Sequence, residues 1–313
     1  MATEDLRFDG QVAVVTGAGA NPGLGRSYAL FLASRGAKVV VNDLGVGPDG
    51  SGAVGTGVEA VVEEINSNGG EAVGDGHSVA EPESAKEIVG QAIDRWGRVD
   101  IVINNAGIAP FGGFDQLADD LISRVVGVHL MGHIWMCRAA WPHMAEQGYG
   151  RLVNVSSGVA VMGMANQSIY AASKLGIVGL TRVLAAEGAE LGIKANAIMP
   201  MASTLALEKL TPPGFNDQIR DSGQVPEVVA PVVAYLAHRE CSVSGKVIDA
   251  KAGAVSEVFF AQTRGTRPNP KLTVEDVRDV FAEAVDRSVF TAFDDYVGDL
   301  SQSPEEVVAA ASQ

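Results

Sequence analysis

Cysteine is almost missing from this chain: Cys137 and Cys241 are its two thiols in 313 residues. They lie far apart, without a Cys-x-x-Cys spacing, which excludes a disulfide framework and points to free thiols in a reducing compartment. Histidine is also scarce. His77, His129, His133, His143 and His238 form no ligand cluster. His129 and His133 stand four apart on one expected helix with no acidic residue nearby to complete a site, so no metal is expected. Positive charge is short too: 23 Lys and Arg against 38 Asp and Glu leave a net charge of -15. That balance argues against nucleic acid and against an anionic membrane surface as partners. No run approaches the ~18 apolar residues that span a bilayer. Met1-Ala2-Thr3-Glu4-Asp5 is acidic rather than signal-like. Ala311-Ser312-Gln313 is not a Ser-Lys-Leu type address. The expectation is a cytoplasmic protein.

What is present is 47% hydrophobic residues and 37 glycines, enough for a well-buried α/β core. Short apolar runs alternate with helix-length amphipathic stretches, the pattern of a parallel sheet covered on both faces. Strands are expected near 11–17, 37–43, 71–78, 99–105, 150–156, 192–199 and 246–250. Helices are expected near 23–34, 55–68, 81–95, 115–145, 168–189 and 225–238. The fold class is therefore a single Rossmann-type doubly wound parallel sheet of about seven strands, occupying residues 1–255. Residues 256–313 form an extension whose helix opens at Thr273-Val274-Glu275-Asp276, with a Thr cap and an acidic first turn. It is expected to pack on the core or on a partner subunit. The stretch from Ser301 is expected to fray, with Ser303-Pro304-Glu305-Glu306 as a further helix start.

The first strand runs into Gly17-Ala18-Gly19-Ala20-Asn21-Pro22-Gly23-Leu24-Gly25 and then a helix. Glycines let a backbone approach a pyrophosphate closely, and a helix N-terminus offers it free N–H groups. The second strand ends in Asp43, a carboxylate placed to accept bonds from ribose hydroxyls and to repel a 2′-phosphate, which favours NAD. The competing reading of Asp43 is a turn former before Leu44-Gly45. Farther on, Tyr170 and Lys174 are four apart on one helix face, with Ser157 upstream. A neighbouring ammonium is expected to lower the phenol's pKa and fit it for proton transfer.

Thr16-Gly17 with its glycine loop, Asn104-Asn105-Ala106-Gly107, Ser157 and Tyr170-x-x-x-Lys174 together resemble a short-chain dehydrogenase/reductase of the ordinary type over about residues 8–255. A closer likeness is to the dehydrogenase unit of the peroxisomal multifunctional beta-oxidation enzyme and its free-standing bacterial relatives. It is carried by Leu6-Arg7-Phe8-Asp9-Gly10, Val41-Asn42-Asp43-Leu44-Gly45, Val128-His129-Leu130 and Arg138-Ala139-Ala140-Trp141, among others. The resemblance implies catalytic roles for Ser157, Tyr170 and Lys174, with His129 where the family commonly has Asn. That position usually holds a water beside the lysine; a packing histidine is the other reading. Cofactor contacts are implied for Gly17, Gly19, Gly23, Leu24, Gly25, Asp43, Ser78, Val79, Asn105, Ala106, Gly107, Tyr170, Lys174, Pro200, Met201 and Thr204. The irregular segment 202–223 falls where the family keeps its substrate loop.

Three departures stand out. Five residues, not three, separate Gly17 from Gly23, although Gly19 keeps the three-residue spacing. His129 replaces Asn, and Pro200-Met201 replaces Pro-Gly, which is expected to narrow the space beside a nicotinamide. The implied activity is NAD(H)-dependent interconversion of a secondary alcohol and a ketone on an apolar small molecule, 3-hydroxyacyl thioester or hydroxysteroid-like, in a homodimer or homotetramer. Two alternatives remain. An enoyl-type reductase has a similarly lengthened loop but spaces Tyr and Lys seven apart, and position 177 here is Ile177. A non-catalytic nucleotide-sensing protein of the same fold typically loses the Tyr or the Lys.

Overall fold

The computed structural model describes residues 5–47, 50, 52, 55, 57–108 and 111–292. The chain divides into two compact units, Met1–Glu257 and Val258–Gln313. The first holds strands β1 (Val12–Thr16), β2 (Lys38–Asn42), β3 (Glu71–Asp75), β4 (Ile101–Asn104), β5 (Gly150–Val155), β6 (Ile193–Met201), β7 (Val247–Lys251) and β8 (Ala254–Glu257). They form one sheet in the order β3-β2-β1-β4-β5-β6-β7-β8. Every pairing is parallel except the last, β7 with β8.

The helices are α1 (Leu24–Ser34), α2 (Val58–Ser67), α3 (Pro82–Trp96), α4 (Asp119–Val126), α5 (Gly132–Gln147), α6 (Val159–Met162), α7 (Ser168–Glu187), α8 (Leu205–Leu210), α9 (Phe215–Asp221) and α10 (Pro226–Ala237). Strand side chains alternate between two cores, as a pleat of period two requires. Ala13, Val15, Val39, Val41, Ile101 and Ile103 join one core with α1, α2 and α10. Val12, Val14, Val40 and Val102 join the other with α3 and α5. Burial on both faces is why these strands read as continuous apolar runs. The winding reverses between β1 and β4, and the carboxyl ends of those strands form the crevice in which this architecture binds ligands.

Four sequence expectations need correction. The sheet has an eighth, antiparallel edge strand, turned back through Ala252 (φ 47) and Gly253 (φ 77). β8 is exposed at every position, so it carried no apolar period to read. The helix expected over 115–145 is broken into a 3-10 turn at Phe114–Gln116, α4, a π-helical turn at Gly127–Met131, and α5. Segment 202–223 is not irregular: it holds α8 and α9, each too short for a hydrophobic period to register. The fourth concerns membrane-span length. α7 is long and apolar enough to cross a membrane by length and composition. It packs Ile177, Val178 and Thr181 into the fold instead.

The second unit contains β9 (Ala261–Thr263), α11 (Val274–Ala284) and β10 (Phe290–Ala292), with β9 and β10 paired antiparallel. The cap expected at Thr273 is present as a capping box with Asp276. The stretch from Ser301 lies outside the described residues.

Candidate active site

The carboxyl end of the sheet is shaped first by steric limits on its backbone. Gly17 has φ 65, and a Cβ there would lie 2.7 Å from the Ala106 Cα, so no other residue fits. Gly23 is the N-cap of α1 and contributes no side-chain cap. A Cβ on it would strike the Ala20 carbonyl. A Cβ on Gly25 would strike the Gly17 carbonyl and lie 2.6 Å from the Asn105 amide. The three glycines thus divide the work: close approach to β4, an open helix N-terminus, and tight packing of α1 behind the loop.

A hydrogen-bonded staple sets the distance between β1 and β4. The Thr16 hydroxyl accepts the amides of Asn105 and Ala106 at 3.0 and 3.1 Å. Asn105 Nδ2 donates back to the carbonyls of Thr16 and Gly17, each at 2.9 Å. Asp43, at the end of β2, accepts the Gly19 amide at 2.9 Å on one oxygen and the Gly45 amide at 2.8 Å on the other. Its carboxylate therefore orders the glycine loop and the following turn together.

The reactive groups come from β5 and α7. Lys174 is buried, and its ammonium donates to the Val155 carbonyl at 2.7 Å. It lies 5.6 Å from the centre of the Tyr170 ring. Burial pulls the Lys174 pKa down to about 7. Burial also raises the Tyr170 phenol, and a hydrogen bond with Ser157 offsets part of that rise. The expectation that Lys174 lowers the phenol pKa is overturned for the free protein. Desolvation is the larger cause and the Ser157 bond the smaller, while the ammonium is turned toward the Val155 carbonyl.

His129 sits inside the π-helical turn, a feature frequent at functional sites. The ring is buried, accepts the Ile108 amide at 3.0 Å through Nε2 and also meets the Ile108 carbonyl. Its edge packs on the Tyr170 ring, with centroids 5.1 Å apart and planes at 85°. Gly107 makes room for it: a Cβ there would lie 2.5 Å from the imidazole. Burial first, and the Lys174 charge second, hold His129 well below its usual pKa and pull His133 to about 3. Both rings are neutral at pH 7.

One cleft of about 890 Å³ collects these groups. Of the residues singled out from sequence, its wall includes Gly17, Gly19, Gly23, Leu24, Asp43, Ser78, Val79, Asn105, Ala106, Gly107, His129, Ser157, Tyr170, Lys174, Pro200 and Thr204. Gly25 and Met201 are not on it. Gly25 lies behind Gly17, and Met201 ends β6 with 40% of its surface exposed. The narrowing expected from Met201 is therefore not seen in the cleft wall. Thr16 was read only as part of the motif with Gly17, and His77, Arg124, Ala206 and Lys209 were passed over because no spacing marks them.

The model of the short chain dehydrogenase family matches residues 11–210. The chain belongs to the short-chain dehydrogenase family. It is an oxidoreductase acting on CH–OH groups of small molecules. It is 40% identical over 287 residues to peroxisomal multifunctional enzyme type 2 of Drosophila melanogaster, covering 90% of this chain and 46% of the fly protein. It is 43% identical over 278 residues to a short-chain type dehydrogenase/reductase of Mycobacterium tuberculosis, covering 89% and 95%. The solved full-length fly enzyme superposes with a TM-score of 0.76 at 33% identity, covering 98% of this chain and 50% of that one. The chain thus spans about half the length of the fly relative and nearly all of the mycobacterial one. Relatedness to the dehydrogenase unit of the multifunctional enzymes, expected from the motifs, stands.

The family typically uses NAD or NADP, and this site fits a dinucleotide. The glycine positions would be filled by any Cβ, and the first amides of α1 face the cleft without a side-chain cap.

Proposed function

We propose that this dehydrogenase uses NAD(H) to interconvert a secondary alcohol and a ketone on an apolar substrate, 3-hydroxyacyl thioester or hydroxysteroid-like. The observation that carries the reading is Tyr170 hydrogen-bonded to Ser157 and beside Lys174 in the cleft. Gly17, Gly19, Gly23 and the amides of α1 would hold the pyrophosphate, Asp43 the adenosine ribose, and Asn105, Pro200 and Thr204 the nicotinamide half. A bound nicotinamide would supply hydride transfer. Tyr170 takes the alcohol proton in oxidation and returns it in reduction, while Ser157 steadies the substrate oxygen by donating a hydrogen bond. With its pKa raised by burial, Tyr170 in the free protein holds its proton at pH 7, the state that reduction requires. Lys174, with a pKa of about 7, can pass a proton on within the physiological range. His129 acts on Tyr170 by packing against its ring rather than by carrying charge.

The apolar substrate is supported by exposed Phe111, Phe114, Met162, Met164 and Phe215. Phe111 and Phe114 flank a connection that ties to the 162–166 segment through the Gly112 amide and the Asn166 carbonyl, 3.3 Å apart. The resemblance to the multifunctional enzymes favours the acyl thioester. Exposed Leu175 and Val183 on α7 support a homodimer or homotetramer. Buried free Cys137 and Cys241 fit a reducing, cytoplasmic setting. The test is Tyr170→Phe, which removes one hydroxyl and keeps the ring's contact with His129. Turnover should fall about 10²–10⁴-fold with NAD affinity unchanged. A variant that keeps most of its turnover would sink the assignment.

A further inference from the structure

Among the described residues three Lys and Arg side chains line the cleft, and two are already engaged. Lys174 donates to the Val155 carbonyl, and Arg124 lies 3.4 Å from Asp120. Lys209 is exposed and has no hydrogen-bond or ion-pair partner among the described residues. Its position is set by α8. The Leu205 amide donates to the Pro22 carbonyl at 2.9 Å, which ties the first residue of α8 to the glycine loop. Thr204 caps the helix by accepting the Leu207 amide. Residues four apart share a helix face, so Lys209 stands one turn along from the residue anchored to the loop. Leu205 and Lys209 both line the cleft, together with Asn21, Pro22 and Gly23.

An ammonium without a partner among the described residues, on a cleft wall of a chain with net charge -15, attracts an anion. The anion-binding groups on the same wall are the uncapped amides of α1. Asp43 and Glu81, the carboxylates of the wall among the described residues, follow β2 and β3. Asp43 is committed to the Gly19 and Gly45 amides, and neither carboxylate pairs with Lys209. We infer that Lys209 is a binding residue for the pyrophosphate of the dinucleotide, joining the α1 amides from the side of α8. Cofactor affinity and the placement of the 202–223 segment are then coupled, because the charge that holds the phosphates rides on that segment.

The inference rests on the dinucleotide reading of the cleft, and the test separates the two. Calorimetric titration with ADP-ribose and with adenosine isolates the pyrophosphate from the nicotinamide. Lys209→Gln should weaken ADP-ribose binding about tenfold, leave adenosine binding unchanged, and make ADP-ribose binding less sensitive to salt. Lys209→Arg should recover most of the loss. Wild-type protein that binds neither ADP-ribose nor NAD would overturn the dinucleotide reading itself. Wild-type binding with an unaffected Lys209→Gln variant would overturn only the role of Lys209. Equal loss of adenosine and ADP-ribose would overturn it as well, since a misplaced helix and not a missing charge would then be the cause.

Discussion

The two ends of the central sheet treat buried charge in opposite ways. At the amino end, Arg151 is 5% exposed and spreads its guanidinium over the carbonyls of Gly150, Gly192, His238 and Arg239, at 2.8 to 3.5 Å. It also lies 4.3 Å from the centre of the Tyr149 ring. Asp100 beside it accepts the Val12 amide and a two-pronged bond from Arg98. At the carboxyl end, Lys174 is as deeply buried, yet only one carbonyl accepts from it among the described residues. Among the described residues, His129 Nδ1, His133 Nε2 and Asn104 Oδ1 are buried there with no partner, against Gln11 Oε1 in the Arg151 region. A buried polar group without partners costs about 1–3 kcal/mol. One end spends its polar groups on holding the fold, and the other leaves several unpaired, of which His129 lines the cleft.

The contrast predicts effects that differ in kind. The largest is expected at the amino end. Arg151→Met keeps the aliphatic stem but strips donors from four carbonyls, and should cost about 3 kcal/mol in stability. Turnover of the folded enzyme should stay within about twofold, because Arg151 and the carbonyls it holds do not line the cleft. Urea unfolding alongside steady-state kinetics measures both. A large drop in kcat with stability intact would break the division of labour between the ends.

Asp43 tests whether a carboxyl-end group can do both jobs. Its oxygens already accept two loop amides, so Asp43→Ala should weaken NAD binding by disordering the loop. The same change removes the charge that opposes a 2′-phosphate. The ratio of NADP to NAD dissociation constants should therefore shift about tenfold toward NADP. An unchanged ratio would reduce Asp43 to the turn former that the sequence equally allowed.

How much of this contrast could be read from the sequence follows from residue spacing. Tyr170 and Lys174 were legible because helical geometry alone puts them together. The sheet was legible because its strands are buried on both faces and written as apolar runs. β8, α8 and α9 were not, being short and largely exposed, and with them the place of Lys209. Burial depth was not legible either. The sequence shows an ammonium near a phenol, and from that pairing a lowered phenol pKa follows. Only the packing of α7 against β5 shows that desolvation dominates and reverses the direction.

Lys174 gives the smallest effect on stability and the sharpest test, since its contribution should have the opposite sign to that of Arg151. Its pKa of about 7 in the folded protein lies below the ordinary lysine value of 10.5. Below about pH 7 the amine is protonated in both states, and the fold bears the full cost of burying the charge. Between 7 and 10.5 the unfolded chain binds more protons than the folded one, so stability rises with pH across that window. Above 10.5 the amine is neutral in both states and the penalty is gone. Lys174→Met removes the titration while filling the same space. It should abolish most turnover and yet raise stability by about 1 kcal/mol at pH 6, where the Val155 bond offsets part of the burial cost. The gain should shrink as pH climbs toward 10.5. Unfolding curves for both proteins at pH 6, 8 and 10 decide it. A variant less stable than wild type at every pH would mean that Lys174 is held as firmly as Arg151, and that the two ends do not differ.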